Sequence, residues 1–261
     1  MRFASIANLS ISLSAVLLAS CATNLEPLAV VRPEFTGAPL ADSIPSDLPR
    51  TARPLHYTIE IEPDAQALTF AGKSIVTLEL YQPADELVLH ALELNIADAV
   101  LVAPDGARLP LTVSYRSDSQ AAHFNAGRTL GPGIWRLETQ YSGLINARAA
   151  GLFSLDYPDK RTGETTRGLF TQFEAPDARR FAPMFDEPSY KATFDLSAIV
   201  PSGQMAVGNM PISAETDLGD GRKRVSFATT PQMSSYLLFL DRKSTRLNSS
   251  HMHESRMPSS A

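Results

Sequence analysis

Between Arg53 and Leu240 the chain alternates apolar and polar residues with a period of two. Tyr57, Ile59 and Ile61 alternate with Thr58, Glu60 and Glu62, and Val76, Leu78 and Leu80 alternate with Thr77 and Glu79. Leu92, Leu94 and Ile96 repeat the pattern, as do Trp135, Leu137, Thr139 and Tyr141, and then Ala192, Phe194, Leu196 and Ala198. Successive side chains of a strand point to opposite faces, so each segment buries one face and wets the other. Turn signals separate the segments at Asp105-Gly106, Gly131-Pro132-Gly133, Pro201-Ser202-Gly203 and Asp220-Gly221. No stretch of this body holds a helical period over three turns. The pattern predicts an all-β domain, an antiparallel β-sandwich or pair of sheets, over residues 53–240.

The two ends do not share this pattern. Arg2 and the apolar run Ile11–Leu18 read as a targeting signal over residues 1–20, too short to span a bilayer comfortably. Leu18-Ala19-Ser20-Cys21 follows and is similar to the lipobox of bacterial lipoproteins. That likeness makes Cys21 the lipidated first residue of the mature chain, and Ala22 in place of an aspartate favours the outer membrane. Residues 21–52 carry Pro27, Pro33, Pro39, Pro45 and Pro49 and read as an extended tether. At the other end, Asp241 through His251 resembles the conceptual translation of a short-read sequencing adapter. Glu254 through Ala261 resembles the adapter's downstream stretch in the same frame. Residues 241–261 are therefore expected to be a disordered, artefactual tail, which removes His251 and His253 from the functional argument.

Composition narrows the chemistry. Apolar residues make up 44% of the 261, enough to bury a real core. The net charge of -5 gives no electrostatic footprint for nucleic acid. The single cysteine excludes an internal disulfide. The sequence contains no G-x-S-x-G, no phosphate loop and no H-E-x-x-H. His56, His90 and His123 are scattered along the body and read as surface or core residues, because zinc needs three or four grouped ligands. No metal ligand is expected from them.

One segment is more specific than fold class. Residues 171–188 read T-Q-F-E-A-P-D-A-R-R-F-A-P-M-F-D-E-P. This resembles the T-Q-x-E-A…A-R…P-C-x-D-E-P signature of the aminopeptidase N family of zinc metallopeptidases, with Met184 where cysteine is common. Weaker echoes fall in the same order: Pro54-Leu55-His56-Tyr57, Phe70-Ala71-Gly72, Tyr141-Ser142-Gly143, Gly151-Leu152-Phe153, Lys191-Ala192-Thr193-Phe194, Gly208-Asn209-Met210-Pro211 and Ser235-Tyr236-Leu237. The resemblance covers about residues 54–240.

The resemblance implies the family's saddle-like amino-terminal β-domain, which packs on a thermolysin-like catalytic domain. The zinc and general base belong to that second domain, so this chain is expected to bind no zinc and to be inactive alone. Carried over residue by residue, Glu174 matches the glutamate that binds the substrate's free α-amino group. Gln172 matches a glutamine lining the pocket for the first side chain. Arg179 reads as a scaffold ion-pair partner of Asp186 or Glu187, and Asp186-Glu187-Pro188 reads as a turn. The expected partners are a peptide's amino terminus, the catalytic domain and, through the lipid, a membrane. The main alternative is a non-catalytic binding lipoprotein that keeps only the β-domain; an unrelated carbohydrate-binding sandwich has no support beyond fold class.

Overall fold

Alternation becomes strand wherever one face of the segment is buried. The computed structural model describes residues 39–158 and 163–244. Its largest sheet is built on β1 (Ala52–Asp64), β2 (Thr69–Leu80), β8 (Gly133–Leu144) and β11 (Lys191–Pro201). Those are four of the five segments with the clearest period of two. Tyr57, Ile59 and Ile61 of β1, Val76 and Leu78 of β2, Leu137 of β8 and Phe194 of β11 are all buried. The sheet is completed by β4 (Leu94–Val102), β5 (Arg108–Pro110), β13 (Ile212–Asp217) and β14 (Arg222–Phe227), in the order β13-β14-β11-β1-β2-β8-β4-β5. A two-residue strand β15 (Met233–Ser234) pairs with β11 off this path.

Two smaller sheets carry the rest. One has the order β3-β7-β6, from β3 (Ala84–His90), β6 (Thr112–Arg116) and β7 (Ala121–Leu130). The other runs β12-β16-β10-β9, from β9 (Gly151–Pro158), β10 (Thr165–Gln172), β12 (Gln204–Gly208) and β16 (Leu240–Ser244). Among the described residues the helical elements are three-residue 3-10 turns, Ala178–Arg180 and Ser235–Leu237. The all-β expectation holds.

Four details correct the sequence reading. The sheets are not purely antiparallel, because β1 and β11 pair in parallel, Tyr57 opposite Phe194. Alternation is identical in parallel and antiparallel strands, so it could not distinguish them. The segment at Leu92 enters its strand only at Leu94, because Glu93 has φ of 58° and Leu92 N–H is drawn off to the Arg179 carbonyl at 2.9 Å. At the front, the last part of the expected tether packs on the domain: Leu48 is buried, and Asp47 and Leu48 N–H donate to Glu187 Oε1 at 2.8 and 3.1 Å. At the back, Asp241–Ser244 continue β16, pairing with β12 and β10. That burial is poorly matched to the side chains. Asp241 Oδ1 and Arg242 Nε are buried without a hydrogen bond among the described residues, and burial lowers the Arg242 pKa. Residues 1–38 and 245–261, with the targeting signal, Cys21 and most of the tail, lie outside the described residues.

The core explains several of the weaker sequence echoes, which meet in pairs. Phe70 of β2 lies opposite Gly143 of β8, and Gly72 lies opposite Tyr141. A Cβ on Gly143 would sit 2.3 Å from the Phe70 ring, and one on Gly72 would sit 2.4 Å from the Tyr141 ring. Each aromatic therefore occupies the space its opposite glycine leaves, and the two rings meet edge to face at 6.4 Å. Tyr57 stacks on Phe194 at 4.8 Å, and His56 Nδ1 lies 2.7 Å from Thr193 Oγ1.

Candidate functional site

The signature stretch leaves β10 at Gln172, whose register partner is Gly151 of β9. Phe173 then turns inward, is buried, and packs on Phe181 with ring centroids 5.1 Å apart. Burying Phe173 forces its neighbours outward, and both Gln172 and Glu174 are exposed. The chain closes a turn over residues 174–177, with a cis Ala175–Pro176 bond and Asp177 N–H donating to the Phe173 carbonyl at 3.2 Å. Among the described residues the Glu174 carboxylate has no hydrogen bond or ion pair. An unpaired surface carboxylate has already lost nothing to a protein partner, so it is free to accept from an incoming cation.

The turn is held from below by side chains of the same signature. Arg180 Nε donates to Asp177 Oδ1 at 2.7 Å, and a second guanidinium nitrogen pairs with Glu93. Gly151, with φ of +65°, passes so close that a Cβ there would lie 2.8 Å from Arg180 Cβ. Only glycine takes that conformation at low cost and also leaves room for the arginine stem.

Arg179 meets the expected carboxylate, Asp186. Its Nε donates to Asp186 Oδ2 at 3.1 Å, its backbone N–H donates to the same oxygen at 3.1 Å, and Nη2 donates to the Asp186 carbonyl at 3.1 Å. Nη1 donates to Gln120 Oε1 at 3.0 Å. Ser235 Oγ donates to the other Asp186 oxygen at 2.6 Å, so the buried carboxylate is saturated. Beyond it, Tyr190 N–H donates to the Glu187 carbonyl at 3.0 Å across Pro188, forming the expected turn. Phe185 N–H donates to the buried Tyr57 hydroxyl at 3.0 Å. The signature is thus mostly scaffold, and the polar side chains it leaves exposed are Gln172 and Glu174, with Ala175 and Pro176 exposed beside Glu174 on the turn.

The neighbouring edge is apolar. Thr171 Oγ1 accepts from Leu240 N–H at 2.9 Å, which sets the 237–240 segment beside the end of β10. Asn209 clamps that segment, donating to the Leu237 carbonyl at 2.8 Å and accepting from Phe239 N–H at 2.7 Å. Leu237 and Phe239 stay 48% and 36% exposed.

With this geometry in place, comparison with known proteins decides the family. The model of the peptidase M1 N-terminal domain matches residues 53–237. The chain belongs to this family. It is 39% identical to an aminopeptidase N of Acetobacter pasteurianus, over 74% of the chain and 53% of that protein. It is 34% identical to the alanine/arginine aminopeptidase of Saccharomyces cerevisiae, over 73% of the chain and 22% of that protein. It is 35% identical to the puromycin-sensitive aminopeptidase of Caenorhabditis elegans, over 73% of the chain and 20% of that protein. The chain therefore spans from about half to about a fifth of the length of these relatives.

The M1 domain here carries no H-E-x-x-H, and Gln172 and Glu174 alone do not make the donor set of a catalytic zinc. What the arrangement can do is bind a cation at an exposed carboxylate fixed on a braced turn.

Sequence reasoning missed one grouping. His90, read as an isolated core or surface residue, lies with Asp47 and Glu187 so that one ligand atom of each falls within 4.8 Å of the others. The three are far apart in the chain, and no spacing motif announces them.

Proposed function

We propose that this M1 domain forms the substrate-amino-binding edge of a zinc-dependent aminopeptidase that removes amino-terminal residues from peptides. The observation that carries the reading is the Glu174 carboxylate: exposed, unpaired among the described residues, and held on a turn braced by Arg180 and Phe173. A free α-ammonium offers N–H donors to such a carboxylate, and a charge-assisted bond of this kind contributes about 1.5–3 kcal/mol. An internal peptide nitrogen has no charge, so the carboxylate selects chain ends. Gln172, one side chain away on the strand end, lines the pocket for the first residue. Zinc and the general base come from the catalytic domain; the β-domain by itself binds no zinc at this edge and hydrolyses nothing.

The same reading assigns Cys21 as the lipid attachment point, with the protein held at the outer membrane facing the periplasm or the cell surface. The lipobox-like sequence supports this, and Cys21 lies outside the described residues. Among the described residues no helix is long and apolar enough to cross a membrane.

The test is substrate blocking. The full-length parent is expected to hydrolyse an amino-acid anilide and to spare its N-acetylated form. Equal turnover of the two would overturn the reading.

A further inference from the structure

We propose that Asp47, His90 and Glu187 form a binding site for a divalent transition-metal cation of the zinc or cobalt type. His90 ends β3 and is 1% exposed, yet neither ring nitrogen has a hydrogen-bond partner. A buried imidazole with both nitrogens idle forgoes bonds it would make to water, so its pocket calls for an ordered water or an ion. The Glu187 Oε2 atom is buried and likewise unpartnered. The Asp47 carboxylate completes the group, with one ligand atom from each residue within 4.8 Å of the others. Two carboxylates this close repel each other unless a cation sits between them.

The backbone builds the site in advance. His90 N–H donates to the Met184 carbonyl at 2.8 Å and Met184 N–H returns to the His90 carbonyl at 3.0 Å, which fixes His90 against the loop that carries Glu187 three residues on. Glu187 Oε1 receives Asp47 and Leu48 N–H, so the oxygen left for a metal is Oε2. Three segments distant in sequence are thus tied together by bonds that do not use the ligand atoms. Burial, with the Arg179 guanidinium nearby, lowers the His90 pKa to about 4 against a lesser opposing pull from Asp47. The imidazole is therefore neutral near pH 7, the form that offers a lone pair. Arg179 itself is committed to Asp186 and does not fill the gap.

One imidazole and two carboxylates suit zinc, cobalt or manganese better than calcium, which takes oxygen ligands alone. Metal bonds of about 2.0–2.2 Å bring ligand atoms to about 3.4 Å of one another, so binding must draw the three side chains in from their 4.8 Å spread. Water completes the coordination through the exposed Asp47 side. The site shares no residue with Gln172 and Glu174. Its role is to pin the segment leading into β1 onto the Asp186-Glu187-Pro188 turn.

The test uses the full chain carrying Cys21→Ser, His251→Ala and His253→Ala, which removes the thiol and the two tail imidazoles as competing ligands, with His56→Gln and His123→Gln added to silence the remaining two. Cobalt(II) alone is titrated and followed by its visible d–d absorption, then displaced with zinc. One cobalt per chain is expected, and His90→Gln and Asp47→Asn should each weaken binding by about tenfold or more. Asp47 is exposed, so its variant decides the matter if His90→Gln fails to fold. No saturable cobalt spectrum, or unchanged affinity in Asp47→Asn, overturns the proposal.

Discussion

Arg179 is 7% exposed and Asp186 3%, and their charges are matched by four further hydrogen bonds around the pair. Removing one partner of such a pair leaves a buried charge alone, at a cost of about 3–5 kcal/mol. Arg179→Ala is therefore expected to lower the urea midpoint sharply, whereas Lys73→Ala, on an exposed contact with Glu60, should cost well under about 1 kcal/mol of stability. Similar losses in the two variants would contradict the assignment of Arg179 to the scaffold. At this scale the sequence was informative where residues are neighbours. The partner of Arg179 stood seven positions away and was one of two carboxylates expected for it. The group at Asp47, His90 and Glu187 was not legible, because only tertiary contacts bring those segments together, the His90–Met184 backbone bridge and the Glu187 bonds to Asp47 and Leu48 N–H.

The strands β2 and β8 show why small residues recur beside aromatics. Gly143 faces Phe70 and Gly72 faces Tyr141, each too close for a Cβ. Gly143→Ala must displace Phe70 and, with it, the Leu94 side chain 2.9 Å away. Overpacking of this kind costs about 1–3 kcal/mol. Phe70→Leu combined with Gly143→Ala should recover part of the loss, and chemical denaturation of the single and double variants reads both. No loss in Gly143→Ala would contradict the packing. Strands with one strongly buried face were legible: β1, β2, β8 and β11 all follow the period of two. By contrast, β13 is exposed along its whole length, and β10 buries Gly168 and Leu169 in succession. Neither writes an alternation, because neither presents a single dry face, so both escaped the pattern.

The molecule as a whole presents an apolar edge next to its candidate site. Leu237 and Phe239 lie clamped by Asn209 beside the end of β10, both substantially exposed. We propose this edge as the face on which the catalytic domain of the proposed aminopeptidase docks. The isolated chain should bind a hydrophobic dye, and Leu237→Ser with Phe239→Ser should reduce that signal while the fold is retained. Unchanged dye binding would place the apolar face elsewhere. The family was readable from residues 171–188 because a braced turn needs many specific contacts, and each contact constrains a residue type. The site itself rests on one carboxylate, and its role is tested most directly by kinetics in the zinc aminopeptidase proposed above. Glu174→Ala is expected to raise KM for an amino-acid anilide by about 10–100-fold, the loss of one charge-assisted bond of about 1.5–3 kcal/mol. An unchanged KM would contradict the account by removing Glu174 from the substrate's amino terminus.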